Sequence, residues 1–255
     1  MNDIYLKSLT RLLYYCITPL DANLIFGINL IKPLFTSNCN MVYHLQDENI
    51  SFTIVIQLLD LFGTMAFAVS GAFKAVKYKL DIIGVVILST ITGLAGGVLR
   101  DLLFGRYPPT AISNPSYIGV TVCTAVAIFF LYPLIKNNWD LFLKFDAVGL
   151  GVFTAIGSIF AYQLLGLDFL AMTFSAILSA TGGGVLRDLL VKEIPIVLVK
   201  ELYVSASFIG ALTIFILISI GGDITTSAFI GIVMTTVIRI ITIKLRWNLP
   251  QARNR

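Results

Sequence analysis

An arginine stands beside an aspartate twice in this chain, at Arg100-Asp101 and at Arg187-Asp188, and each pair lies inside an apolar run. Gly96-Gly97-Val98-Leu99-Arg100-Asp101-Leu102-Leu103 is echoed 87 residues later by Gly183-Gly184-Val185-Leu186-Arg187-Asp188-Leu189-Leu190, and a proline, Pro108 or Pro195, follows each copy at the same interval. Ionic groups in hydrocarbon are costly, and where they occur they mark ion paths, proton relays or paired structural charges. Glycine within a helix costs about 1 kcal/mol and loosens the hydrogen-bond ladder. Such loosened backbone is tolerated at membrane depth where it is buried in protein or lines water, and its carbonyls can then ligate a cation. The spacing therefore points to a polar passage between two related halves. Gly96, Gly97, Gly182, Gly183 and Gly184 would shape it, and Arg100, Asp101, Arg187 and Asp188 would charge it. Successive helix positions diverge by about 100°, so each arginine is expected to meet a carboxylate on another helix rather than its neighbour. Asp60, Asp146 and the opposite motif's aspartate are the candidates.

Plainer readings compete at each position. Gly93 and Gly97 fit a small-xxx-small helix-packing face, and the arginines could simply lock a bundle by salt bridges. Asp60 and Asp146, near predicted helix starts, could act as caps. Ser89, Thr90, Thr92, Ser175, Ser179 and Thr181 could bond backbone carbonyls instead of lining a path. Gly182–Gly184 lack the Gly-Lys-Ser/Thr continuation of a phosphate loop. The lone His44 and the unpatterned Cys16, Cys39 and Cys123 argue against histidine catalysis, a metal centre or a redox pair, and packing suffices for Cys123. No cofactor, metal or enzyme activity is expected beyond transient contact with a monovalent cation.

The elements holding these residues are membrane helices. Of 255 residues, 57% are hydrophobic and 13% charged, against about 25% charged in soluble domains, and the mean hydropathy is +0.90. The net charge of +4 is scattered between apolar segments, which signals orientation in a bilayer and not nucleic-acid binding. Windows of about 20 apolar residues predict seven spans, at 52–74, 82–104, 111–135, 145–166, 168–191, 202–220 and 224–243. Lys74, Lys77, Lys79, Lys136, Lys144, Lys192, Lys200, Lys244, Arg246, Arg253 and Arg255 fall on one side, and, apart from the N-terminal segment, Arg106 alone on the other. By the positive-inside rule the first span starts outside a cell membrane and the C-terminus is cytoplasmic. Trp139, Trp247 and Tyr107 fall at span ends as interfacial anchors. Residues 1–51, interrupted by Pro19, Asp21 and Pro33, read as a dispensable extension or a weak extra helix.

The repeat extends beyond the arginine motif. Asp60, Gly63, Phe67 and Gly71 recur as Asp146, Gly149, Phe153 and Gly157, so residues 52–135 and 136–220 form two three-helix units. Residues 221–255 add a seventh helix and a basic tail. An odd number of spans per unit inverts the second copy in the bilayer, an arrangement that sets functional elements near the midplane.

In its paired G-G-x-x-R-D motifs and its D-x-x-G starts of spans one and four, the chain resembles the prokaryotic branch of the trimeric intracellular cation (TRIC) channel family, also labelled UPF0126 or glycine-transporter-like. The likeness covers about residues 52–245. It implies an all-α membrane protein of seven helices in two inverted triplets plus one, and a homotrimer with an hourglass pore in each protomer. It also implies conduction of potassium with some sodium, with the five glycines and four motif charges carried over as pore residues. Ala95 stands where the second copy has Gly182, and the N-terminal extension departs from the compact members. Inverted repeats would equally suit a secondary transporter of a small zwitterion such as glycine.

Overall fold

The computed structural model describes residues 50–135, 139–199 and 202–245; the expectations for residues 1–49, Trp247 and the basic tail fall outside them. The described residues are all-helical. In order they are α1 (Ile50–Lys77), α2 (Ile82–Leu103), α3 (Thr110–Ser113), α4 (Pro115–Ile135), α5 (Trp139–Leu165), α6 (Phe169–Leu190), α7 (Ile196–Val199), α8 (Tyr203–Ser219) and α9 (Ile224–Leu245). Six of these, α1, α2, α4, α5, α6 and α9, are long and apolar enough to cross a membrane; α8 is a shorter apolar helix.

Helix ends follow local chemistry. Asp81 and Asp168, also 87 apart, cap α2 and α6 by accepting from the backbone N–H of Gly84 and Ala171. Asp60 and Asp146 are not caps, because α1 and α5 start earlier than predicted and leave both carboxylates well inside a helix. The predicted third span is divided at Asn114, where Pro115 opens α4 and leaves Thr110–Ser113 as a separate turn. A matching turn, α7, precedes α8.

Left-handed residues recur at matched exits: Lys79 and Gly166 after α1 and α5, Gly105 and Lys192 after α2 and α6. The two on the lysine-rich side are lysines, although that backbone region favours glycine.

Packing repeats the same scheme twice. The helices α1, α2 and α4 pack mutually, as do α5, α6 and α8; α1 meets α5, α2 meets α6, and α9 lies on α5 and α8. At the centre Phe67 and Phe153 stack with ring centroids 5.4 Å apart. A Cβ on Gly149 would strike the Phe67 ring, and one on Gly63 would strike Val152 and Phe153. Both glycines of the D-x-x-G blocks thus make room for that central contact. Cys123 faces outward from α4 and is exposed, contrary to the expected packing role.

Candidate functional site

Helices α2 and α6 cross at the motif glycines, and their identity is dictated there by distance. A Cβ on Gly96 would collide with the Ser179 carbonyl oxygen, and one on Gly183 with the Thr92 carbonyl oxygen. Thr92 and Ser179 are equivalent positions 87 apart, so the contact is reciprocal. Gly182 admits Leu99 in the same way, whereas Gly97 has its nearest atoms at 3.8 Å. Both helices run without a break through these residues. At Gly96, Gly182 and Gly183 the glycines permit close approach of a second helix, whereas the sequence had offered Gly93 and Gly97 for such packing.

On either side of this crossing lies a buried ionic cluster. In the first, Arg100 Nε and Nη2 donate to Asp101 Oδ1 at 3.0 and 2.9 Å, while Nη1 and Nη2 reach the two oxygens of Asp60 on α1 at 3.4 and 3.3 Å. Tyr117 Oη on α4 donates to Asp60 Oδ2 at 3.0 Å. Asp101 Oδ2 accepts the backbone N–H and the hydroxyl of Thr110, both at 2.7 Å, so it pins α3 back over the arginine. Asp60, Thr64, Gly97, Arg100, Asp101 and Tyr117 line a small pocket there with room for about one water.

The second cluster repeats the plan. Arg187 Nε donates to Asp188 Oδ1 at 2.8 Å and Nη1 to Asp146 Oδ1 at 2.5 Å. Asp188 Oδ2 accepts from the Ile196 N–H at 2.7 Å and so holds α7. Asp146 and Asp60 are therefore the cross-helix partners, as anticipated. The expectation that neighbours would not pair is corrected. The arginine side chain is long enough to fold back over its own helix, so a 100° offset at Cα does not separate the charged ends. Burial of both guanidiniums requires this second carboxylate, since an unpaired ion in such surroundings is heavily penalised.

Four participants were missed. Lys74, counted among the loop cations, is buried and its Nζ lies 2.6 Å from both Asp188 Oδ1 and Glu193 Oε2. Tyr117 and Tyr203, 86 apart, stand at corresponding places, and Tyr203 Oη faces Asp146 without meeting strict hydrogen-bond geometry. Arg239 of α9 lies over the Tyr203 ring, 4.5 Å from its centroid. The tyrosine repeat was a signal available in the sequence; Lys74 was hidden by its place at a span end.

Among the described residues no group of three or more His, Cys, Asp or Glu side chains could hold a metal ion. What the two clusters can do is carry fixed charge inside an apolar bundle: at the first, two carboxylates face one guanidinium.

Comparison with known proteins gives a consistent result. A family model described as glycine transporter matches the chain twice, over residues 57–133 and 143–219. A UPF0126 membrane protein of Vibrio cholerae is 32% identical over 228 residues, covering 88% of this chain and 94% of that protein. That alignment is longer than residues 50–255 can supply, so it enters the N-terminal segment. The UPF0126 inner membrane protein YadS of Escherichia coli is 32% identical over 202 residues, covering 77% of this chain and 96% of its own length. Among solved structures, the TRIC trimeric intracellular cation channel orthologue from Rhodobacter sphaeroides superposes with a TM-score of 0.72 at 33% identity, covering 76% of this chain and 99% of that one. A prokaryotic TRIC channel in 0.5 M KCl gives 0.72 at 35% identity, covering 77% and 100%.

Proposed function

This chain belongs to the TRIC/UPF0126 family of multi-pass membrane proteins, and from that membership we propose that it is a passive channel for monovalent cations, chiefly potassium. Each protomer of a homotrimer carries its own path between two inverted three-helix units, with the first span starting outside and the C-terminus in the cytoplasm.

The observation that carries this reading is the pair of ionic clusters, each anchored on a motif arginine buried between helices that are apolar along their length. In a structural bundle without transport, charges of this kind are rare because each costs about 2.5–3.5 kcal/mol at the bilayer centre. Asp60 and Asp101 outnumber Arg100, which favours a cation over an anion at that end. Thr64, Thr92 and Ser179 lie at or near the α2–α6 crossing between the clusters and supply hydroxyls and carbonyls for a partly dehydrated ion. Passage requires α2 and α6 to separate at the glycines, and the arginines, held by carboxylates, to stay out of the ion's way.

A glycine transporter would need a guanidinium free to take the substrate carboxylate. Arg100 and Arg187 each already hold two aspartates, which weighs against that alternative.

Single-channel recording of the purified protein in planar bilayers under a KCl gradient tests the proposal. A reversal potential near the potassium equilibrium value is expected. Silence in potassium together with saturable glycine counterflow in proteoliposomes would overturn it.

A further inference from the structure

The two halves differ at two pairs of equivalent positions. Lys74 on α1 corresponds to Phe160 on α5 by the 86-residue offset, and Glu193 corresponds to Arg106 by the 87-residue offset of the arginine motif. The contacts across the halves run between these pairs. Lys74 Nζ lies 2.6 Å from Glu193 Oε2, while the Arg106 guanidinium sits over the Phe160 ring, 5.8 Å from its centroid. Lys74 also reaches Asp188 at 2.6 Å, and Phe160 also receives Arg100 at 5.0 Å. Both contacts thus tie the loop that follows an arginine motif to the first helix of the other half, with different chemistry at the two ends.

We propose that Lys74 is the positioning residue of the channel's second cluster, and that the Lys74–Glu193 ion pair latches the 191–195 loop and α7 over that end, whereas at the other end Arg106 adds only a ring contact to the Thr110–Asp101 bonds that hold α3. The proposal rests on the channel reading for its effect on current, but not for its effect on the loop.

The physical argument is one of position. Lys74 is almost wholly buried, so its charge depends on protein carboxylates. Asp188 Oδ1 is shared between Lys74 and Arg187, and its Oδ2 takes the Ile196 N–H. Moving Lys74 therefore disturbs the arginine and the loop together. Glu193 is partly exposed, its side chain 39% accessible, and reaches Lys74 from the loop, so it can leave without unpacking the bundle. At the other end, Arg106 is exposed and its ring contact is worth about 0.5–1 kcal/mol. A charged pair with one buried member fastens its loop more firmly than a ring contact does, so loss of the pair frees the 191–195 loop more than the 104–110 loop.

Amide hydrogen exchange on the full-length protein in nanodiscs, with Glu193→Gln, Lys74→Met and Lys74→Arg, reads the latch directly. Exchange at residues 191–196 should speed up at least about fivefold in E193Q, while residues 104–110 keep the wild-type rate and K74R stays close to wild type. E193Q retains the Lys74–Asp188 pair, so it serves even if K74M does not fold. In bilayers, E193Q should shorten closed times at one voltage polarity more than the other. Unchanged exchange at 191–196 in E193Q, or equal acceleration of both loops, overturns the latch. Wild-type protein without potassium current but with the expected exchange pattern would sink the channel reading and leave the latch standing.

Discussion

At the scale of single residues, the two clusters share a plan but not a degree of completion. Tyr117 donates to Asp60, whereas Tyr203 at the corresponding place faces Asp146 without meeting strict hydrogen-bond geometry. Tyr117→Phe should therefore lower stability by about 1–3 kcal/mol, the cost of leaving a buried carboxylate oxygen short of a donor. Tyr203→Phe should cost less, because its approach to Asp146 falls short of a well-formed hydrogen bond. Thermal unfolding in one detergent compares the two; equal losses would mean that Tyr203 bonds Asp146 in the folded protein. Arg187→Met should be far more damaging, by about 3–5 kcal/mol, since it strands Asp146 in a dry interior. Intact folding of that variant with an unshifted melting temperature would contradict the cluster's assigned burial.

At the scale of helices, the α2–α6 crossing makes the glycines unequal. Gly96→Ala and Gly183→Ala place a methyl on a backbone carbonyl, which cannot rotate away, so each should cost about 1–3 kcal/mol by overpacking. Gly97→Ala, where a methyl would meet only ordinary van der Waals contacts at 3.8 Å, should be close to neutral. Comparing melting temperatures for the three variants checks the crossing, and a Gly97 variant as damaged as the Gly96 variant would refute it. The helix exits carry a second test. Lys79 and Lys192 adopt a left-handed backbone that glycine occupies at the equivalent exits. Replacing either lysine by glycine should stabilise the fold by up to about 1 kcal/mol while weakening the orientation signal that the lysine supplies. Loss of stability in both variants would show that the lysine side chains are needed for packing.

For the whole molecule, the proposed inverted arrangement would set residues 106 and 192 on opposite sides of the membrane. In a background lacking the three native cysteines, Arg106→Cys should react with an impermeant maleimide added outside cells, and Lys192→Cys only after permeabilisation. Labelling of both from the same side would be incompatible with three spans per unit.

Seven apolar segments, a doubled motif and lopsided lysines were legible in the chain itself, because hydropathy, repetition and the positive-inside bias are properties of local sequence. The cross-helix partners of the arginines were also within reach, since Asp60 and Asp146 are the carboxylates that repeat on other spans. Which aspartates cap α2 and α6, that Arg100 folds back on Asp101, and that Lys74 turns inward to Asp188 were settled only by packing. Side-chain length, helix phase and the neighbour across a crossing decide such contacts, and none of these is written at one position. The glycines illustrate the division best. Their spacing announced that something close or loose occurs there, but only the Ser179 and Thr92 carbonyls lying against Gly96 and Gly183 determined that it is a second helix at close range.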